Sequence, residues 1–168
     1  MRVEQVTEDD WTLVRTIRLR GVATDPDAFG ASPERERRLK ESHWRMRLRA
    51  SPWFVASIRE EPVGIVSVIS EPGAPPEERH LVGLWVSPNH RGVGVGDGLL
   101  RAAQAWAAGD GGRTITLWLM SDNGPAARLC RRNGYAPSGV RMTAPRDPTR
   151  TEEQWVKTIA PSNSDLLT

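Results

Sequence analysis

The fold is decided by the stretch Leu84-Trp85-Val86-Ser87-Pro88-Asn89-His90-Arg91-Gly92-Val93-Gly94-Val95-Gly96-Asp97-Gly98-Leu99-Leu100. Its apolar start predicts a strand, its middle is rich in glycine, and its end has the apolar spacing of a helix. Glycine lacks a Cβ atom, so the alternating glycines let backbone N–H groups converge on a bulky anion. The first N–H groups of a helix are unpaired and carry partial positive charge. The stretch therefore predicts a phosphate-binding loop between a strand and a helix.

The spacing of the glycines excludes two common phosphate loops. A dinucleotide-binding loop needs Gly-x-Gly-x-x-Gly, but the third position falls on Asp97 when counted from Gly92 and on Leu99 when counted from Gly94. A nucleoside-triphosphate loop ends in Gly-Lys-Ser/Thr, and lysine occurs in this chain only at positions 40 and 157. A glycine-rich turn without a ligand is the plain alternative.

A second motif lies one predicted strand further along the chain. It reads Asn123-x-x-Ala126-x-x-Leu129-Cys130-x-x-x-Gly134-Tyr135, with a helix-capping residue at its start and a glycine beyond its end. It resembles the Asn-x-x-Ala-x-x-Leu-Tyr-x-x-x-Gly-Phe motif of the GNAT superfamily of N-acetyltransferases. The glycine loop resembles the acetyl-CoA loop of that superfamily, Arg/Gln-x-x-Gly-x-Gly/Ala, and matches it at Arg91, Gly94 and Gly96. The resemblance covers residues 80–135.

The resemblance implies a single α/β domain whose mixed, mostly antiparallel central sheet is flanked by helices. We place this domain at residues 1–160 and expect a disordered tail at residues 161–168. The apolar patterns predict strands at 2–6, 53–58, 63–69, 80–86, 114–120 and 155–159, with a hairpin between the second and third. Helices are predicted from the Thr7 cap to near Val22, from the Ser32 cap, after the glycine loop, and after Asn123.

The resemblance also implies how acetyl-CoA would bind. The main chain of Leu84, Trp85 and Val86 would pair with the pantetheine arm as an added strand, and one of its N–H groups would polarise the thioester carbonyl. The pyrophosphate would be held by the segment Arg91, Gly92, Val93, Gly94, Val95 and Gly96. Asn123 would bind the pantetheine amides or act only as a helix cap. Ala126 and Cys130 would complete the cofactor site.

The usual catalytic groups of the superfamily are missing from this chain. Cys130 stands where a tyrosine often acts as the acid, so it is either a thiol acid, a packing residue or a cofactor contact, and the thiolate could also leave unaided or with a proton from water. A strand carboxylate often acts as the base, but Val82 and Gly83 fill those positions. The candidates left on that strand are His80, which could instead be an exposed strand-end residue, and Glu78.

Composition narrows the other possibilities. The chain has 168 residues, one cysteine and no apolar run of about 18 residues, so we expect a cytoplasmic protein without a membrane span or an intramolecular disulfide. We expect no metal. The arginines between residues 35 and 49 are interleaved with glutamates, which favours a solvated helix face over a nucleic-acid site. The resemblance also allows a homodimer.

Two functions from different classes follow. The leading hypothesis is an acetyl-CoA-dependent N-acetyltransferase that acetylates a primary amine of a small molecule or protein by direct attack on the thioester. The alternative is a non-catalytic acyl-CoA-binding module, because the usual tyrosine and strand carboxylate are missing. The acceptor amine has no motif of its own in the sequence.

Overall fold

A computed structural model describes residues 1–160 of the chain. The strands are β1 Arg2–Val6, β2 Trp53–Ile58, β3 Glu61–Ile69, β4 Glu78–Val86, β5 Thr114–Met120, β6 Ala136–Ala144 and β7 Asp147–Thr158. The helices are α1 Trp11–Thr24, α2 Pro33–Arg38, α3 Glu41–Ala50, α4 Val95–Gly109 and α5 Gly124–Arg132. The strands of residues 1–160 form one seven-stranded sheet in the order β1-β2-β3-β4-β5-β7-β6.

The junction between β4 and β5 is the feature of the sheet that matters for function. Every other pair of neighbouring strands is antiparallel, whereas β4 and β5 are parallel and pair only at Glu78 with Thr114, Arg79 with Ile115 and His80 with Thr116. Beyond these pairs the two strands separate, although both continue for several residues. The result is a cleft in the middle of the sheet, at the end of β4 that leads into the glycine loop.

A β-bulge bends β4 where the cleft opens. Ser67 pairs with Val82 and Ile65 pairs with Trp85, so Gly83 and Leu84 together face the single residue Val66 of β3. Gly83 has a φ of +64°, which a residue with a side chain adopts only with strain. The bulge therefore depends on glycine at this position.

Each face of the sheet has its own apolar core. The face covered by α4 buries Leu99, Leu100 and Ala103 against strand residues such as Val66 and Leu117. The opposite face, covered by α1 and α3, has a second core, whose buried members are Val6, Val14, Ile17, Trp44, Leu48, Trp53, Val55, Ile65 and Trp85. Burial of these side chains on both faces fixes the sheet between two helical layers.

The predicted fold class is confirmed, but two predicted elements need correction and one strand was missed. The segment that follows the Ser32 cap forms two short helices, because the backbone at Leu39 is extended. Strand β6 was not predicted, and β7 begins at Asp147, well before the predicted start at Trp155. The predicted tail at 161–168 lies outside the described residues. Within residues 1–160, every helix is too short or too polar to cross a membrane.

Candidate active site

The glycine loop leaves β4 and ends at the first turn of α4. Gly92 and Gly94 have φ values of +78° and +93°, so both positions require glycine. A Cβ atom added at either position would meet nothing within 4 Å, which shows that this side of the loop faces open space. The backbone conformation thus turns the main chain of the loop outward.

The N–H groups of this loop are unpaired. From Arg91 to Gly96 no backbone N–H donates to an acceptor among residues 1–160, and the first hydrogen bond of α4 runs from Gly98 N to Gly94 O at 3.1 Å. Adjacent free N–H groups at the start of a helix of 15 residues form a strong site for an anion. The main chain of the loop can therefore donate hydrogen bonds to an anion.

The surroundings of Gly96 and Gly98 differ from those of Gly92 and Gly94. A Cβ at Gly96 would lie 2.7 Å from Leu129 Cδ2 of α5, and one at Gly98 would lie 2.8 Å from Met1 Cε. These two glycines therefore allow close packing of α4 against its neighbours. The missing side chain thus leaves open space at Gly92 and Gly94, whereas at Gly96 and Gly98 it leaves room for a neighbouring side chain.

Asp25 anchors the loop to the rest of the molecule. Its Oδ2 accepts a hydrogen bond of 2.9 Å from Arg91 Nη2 and one of 2.8 Å from Trp85 Nε1. Arg91 Nε also donates to the Val86 carbonyl oxygen at 3.0 Å. The Arg91 side chain thus positions the loop, while its backbone N–H has no partner among residues 1–160.

The main chain of Leu84, Trp85 and Val86 lies at the edge of the cleft. The Trp85 side chain is buried on the α1–α3 face, and the Leu84 and Val86 side chains pack on the α4 face. On the side toward β5 this part of β4 has no strand partner. An extended ligand can therefore add to this edge by backbone hydrogen bonds.

Asn123 lies beyond the end of β5 and caps α5. Its Oδ1 accepts a hydrogen bond of 3.1 Å from Ala126 N, whereas its Nδ2 has no partner among residues 1–160. The cap and a contact with pantetheine are therefore compatible, because they use different atoms of the side chain. Ala126 is half-buried in the first turn of the same helix.

The Cys130 side chain is fully buried. Its exposed fraction is 0%, it packs in the core beside Tyr135, and burial raises the pKa of its thiol to about 12. The same burial raises the pKa of the Tyr135 hydroxyl, which has no hydrogen-bond partner. Both groups stay protonated at neutral pH, and both are surrounded by apolar side chains.

His80 and Glu78 lie in the paired half of β4. His80 is 4% exposed rather than exposed at the strand end; its Nδ1 is 2.7 Å from Thr116 Oγ1 and its Nε2 is 3.4 Å from Glu71 Oε1. Burial lowers the pKa of His80, partly offset by Glu71, so the ring is neutral at pH 7. Glu78 is half-buried at the first residue of β4, roughly 26 Å along the strand from Val86.

A pocket opens beside the bulge, on the α1–α3 face of the sheet. Its volume is about 230 Å³. The residues that line it are Arg18, Phe29, Arg47, Ala50, Ser51, Trp53, Val82 and Gly83. Neither His80 nor Glu78 lines it, and its wall carries two arginines but no carboxylate or imidazole. Sequence reasoning missed Arg18 and assigned Arg47 to a solvated helix face, because the pairing of both arginines with the buried Glu36 forms only in the folded chain.

Comparison with known proteins decides the family. The family model described as "Acetyltransferase (GNAT) family" matches residues 14–135, which is most of the chain. The chain belongs to the GNAT acetyltransferase family. The match extends the likeness from the two motifs to α1, the helix that carries Arg18.

Solved structures of other GNAT proteins share the fold. A GNAT acetyltransferase of Streptococcus pneumoniae superposes with a TM-score of 0.78 at 18% identity, covering 95% of this chain and 99% of that one. An acetyltransferase of Salmonella typhimurium, whose structure contains its cofactor acetyl-CoA, also gives 0.78, at 16% identity over 97% of this chain and 98% of that one.

Curated relatives of this GNAT chain are matched over shorter stretches. An N-acetyltransferase of Methanocaldococcus jannaschii is 28% identical over 100 residues, which are 58% of this chain and 44% of that protein. The acetyl transferase GW6a of Oryza sativa subsp. japonica is 39% identical over 59 residues, which are 34% of this chain and 14% of that protein. The matched region therefore spans less than half the length of either relative.

Proposed function

We propose that this chain is an acetyl-CoA-dependent N-acetyltransferase that transfers the acetyl group directly to a primary amine. The observation that carries the proposal is the run of unpaired N–H groups from Arg91 to Gly96, placed at the end of a strand that separates from its neighbour. One end of an extended, anionic cofactor fits the loop and its other end fits the cleft. The acetyl-CoA found in the Salmonella typhimurium relative supports this assignment.

In this proposal each part of the cofactor site has a separate task. The N–H groups of Arg91, Gly92, Val93, Gly94, Val95 and Gly96 bind the pyrophosphate. The main chain of Leu84, Trp85 and Val86 pairs with the pantetheine, and Asn123 Nδ2 and Ala126 contact it from α5. This arrangement would bring the thioester to the bulge at Gly83, next to the 230 Å³ pocket.

The reaction needs an oxyanion donor and a neutral amine. A backbone N–H at the free edge of β4 would hydrogen-bond the thioester oxygen as negative charge develops on it. The amine nitrogen attacks the carbonyl carbon, the C–S bond breaks, and the nitrogen gives up a proton. The thiolate leaves with a proton from water, since Cys130 is enclosed in the core.

We assign the deprotonation of the acceptor ammonium group to solvent rather than to a side-chain base. The pocket wall holds Arg18 and Arg47, and nearby positive charge lowers the pKa of an ammonium group, which favours the neutral nucleophile. His80 is engaged by Thr116 and Glu71, and Glu78 lies at the far end of β4. Both therefore have structural roles in this scheme.

The second candidate is a non-catalytic acyl-CoA-binding module. It is favoured by Cys130 in the place of the family's tyrosine and by the pocket's lack of a carboxylate or imidazole. Both candidates require the loop and the cleft. Only the enzyme requires that an amine reach the thioester.

The two candidates are separated by binding and turnover measured on the same protein. Calorimetry with acetyl-CoA is carried out on the wild type, on Gly94→Val and on the control Gly109→Val. Gly94 has a φ of +93°, whereas a Cβ at Gly109, at the other end of α4, meets nothing within 4 Å. We expect Gly94→Val to abolish binding and the control to bind normally, since only the first changes the anion site.

Release of free thiol from acetyl-CoA is then followed across a panel of primary amines. Release stimulated by an amine, with the acetylated amine detected by mass spectrometry, supports the enzyme. Tight binding of acetyl-CoA without stimulated release supports the module. If wild type and Gly94→Val bind acetyl-CoA equally well, the loop assignment is wrong; if the wild type does not bind acetyl-CoA, both candidates fail.

A further inference from the structure

One buried arginine has more hydrogen-bonding capacity than the protein uses. Arg18 of α1 is 8% exposed, and its Nη2 donates to Glu36 Oε1 at 3.1 Å. Its Nε is fully buried without a partner, and its Nη1 also has no partner among residues 1–160. Buried donors are nearly always paired, so these unused N–H groups need an explanation.

The guanidinium group is held rigidly in the wall of the pocket. Its Cζ lies 4.5 Å from the centre of the Phe29 ring and 5.6 Å from that of Trp53. Its Nη1 would lie 2.9 Å from a Cβ at Gly83, so it touches the bulge of β4. Stacking on aromatic rings fixes the plane of the guanidinium without using its N–H groups.

The charges around Arg18 do not balance. Glu36 is 3% exposed and is shared between Arg18 and Arg47, whose Nη1 donates to Glu36 Oε2 at 2.9 Å. The three side chains therefore carry a net charge of about +1 beside the pocket. The Arg47 side chain is 33% exposed and keeps contact with water, whereas the Arg18 side chain is 10% exposed, so its charge is costly without a further partner. An anionic group bound in the pocket would offset this cost.

We propose that the acceptor amine carries a carboxylate and that Arg18 binds this carboxylate through its free Nη1 group. The inference rests on the proposed acetyltransferase function and names the class of its substrate, a small amino acid or a related amino carboxylate. A charge-assisted hydrogen bond from Arg18 would place the acceptor against Gly83, where the thioester is expected. The volume of 230 Å³ is below the range of about 300–1,000 Å³ of pockets for larger ligands, which agrees with a small acceptor.

The test compares each amino acid with its amide, which lacks the negative charge of the carboxylate. A panel of L-amino acids is assayed by thiol release at saturating acetyl-CoA, together with the matching amino-acid amides, which keep the amine and the side chain. Because a charge-assisted hydrogen bond is at stake, we expect kcat/KM to be about 10- to 100-fold higher for the acids. Each rate constant is divided by the fraction of neutral amine at the assay pH, because an amino acid and its amide differ in the pKa of the amine.

Variants assign the preference to Arg18. Arg18→Met removes the guanidinium but leaves the buried Glu36 paired with the half-buried Arg47, so the remaining pair is neutral and the helix is expected to fold. We expect the KM of the acids to rise about 10- to 100-fold relative to the KM of the amides, because any effect of the lost charge on the amine is common to both, while the affinity for acetyl-CoA stays the same. Arg18→Lys keeps the charge and should retain part of the preference. Arg15→Met removes a positive charge from the same helix away from the pocket and should change nothing.

The possible failures are distinguishable. The carboxylate assignment is overturned if amides are acetylated as well as acids, if Arg18→Met keeps the preference, or if acetyl-CoA binds and only amines without a carboxylate react. Absence of acetyl-CoA binding overturns the proposed function itself, and the acceptor assignment falls with it. If Arg18→Met is unfolded by circular dichroism, the preference of the wild type and the response of Arg18→Lys decide the matter.

Discussion

Gly96 illustrates how one residue of a ligand-binding motif can be required by packing. Its position would place a Cβ 2.7 Å from Leu129 Cδ2, so a side chain there pushes α5 away from α4. We predict that Gly96→Ala lowers the free energy of unfolding by about 1–3 kcal/mol, the usual cost of overpacking. Urea denaturation followed by circular dichroism measures this change.

Two further variants assign that loss to the contact with Leu129. Gly109→Ala at the far end of α4 meets no atom within 4 Å and should not destabilise the protein. Adding Leu129→Ala to Gly96→Ala removes the clash, so the double variant should lose less stability than the sum of the two single variants. Strict additivity would show that Gly96 is not constrained by Leu129.

His80 should make stability depend on pH. Burial lowers the pKa of His80 in the native state below the unfolded value of about 6.5. Between these two pKa values the unfolded chain binds a proton at His80 and the native state does not. The contribution is present above pH 6.5 and is lost as the pH falls below it. We predict that His80→Gln flattens the fall in unfolding free energy between pH 7 and pH 5, measured by urea denaturation at several pH values. His43→Gln, an exposed position on α3, is the control and should keep the slope of the wild type.

At the scale of elements, Asp25 connects the end of α1 to β4 and to the glycine loop. It follows the last residue of α1 and accepts hydrogen bonds from both Trp85 and Arg91. We predict that Asp25→Ala frees the loop and weakens acetyl-CoA binding about fivefold, because partly exposed charged contacts contribute about 1 kcal/mol. Calorimetry measures the affinity. Asp9→Ala, which removes an exposed ion pair with Arg45 elsewhere, should bind like the wild type.

The elements that sequence patterns predicted are those with a local signal. Strand β5 is an apolar run and was predicted at its observed bounds, and α4 has a clear apolar stripe and was predicted as a helix after the glycine loop. Strand β6 contains Pro137 and Gly139 and is exposed along most of its length. It is a strand because it pairs with β7, and such pairing has no local signature.

The candidate site also contains parts with a local sequence signal and parts that depend on the folded structure. The glycine loop and the Asn123 cap were predictable, because each of them is formed by residues that are close together in the sequence. The pocket was not, since Arg18, Glu36 and Arg47 lie on three different helices and meet only in the folded molecule. The proposed acceptor chemistry therefore depends on tertiary structure, whereas the cofactor chemistry depends on a motif.

At the scale of the whole molecule, Cys130 reports on global opening. Its thiol is 0% exposed with a pKa of about 12, and thiol reagents attack only an accessible thiolate. We predict that Ellman's reagent does not label the native protein and that labelling in urea follows the unfolding transition measured by circular dichroism. Fast labelling without urea would mean that α5 opens locally.

The same residue gives a test of its role in turnover. Cys130→Ala should lose some stability, because it removes a buried sulfur atom, yet it should keep kcat within about threefold of the wild type. A fall of about 100-fold with acetyl-CoA affinity unchanged would instead make the thiol a catalytic acid.

The sheet is continuous at its centre through only three residue pairs between β4 and β5. A coenzyme whose amide-bearing arm lies along the free edge of β4 would supply part of the pairing that β5 does not provide. The coenzyme would then be a structural component as well as a reagent. Release of the coenzyme in each turnover would remove these hydrogen bonds from the sheet, and binding of the next molecule would restore them. Melting temperature should accordingly rise with coenzyme concentration, and amide hydrogen exchange at 84–86 should slow more than in β1.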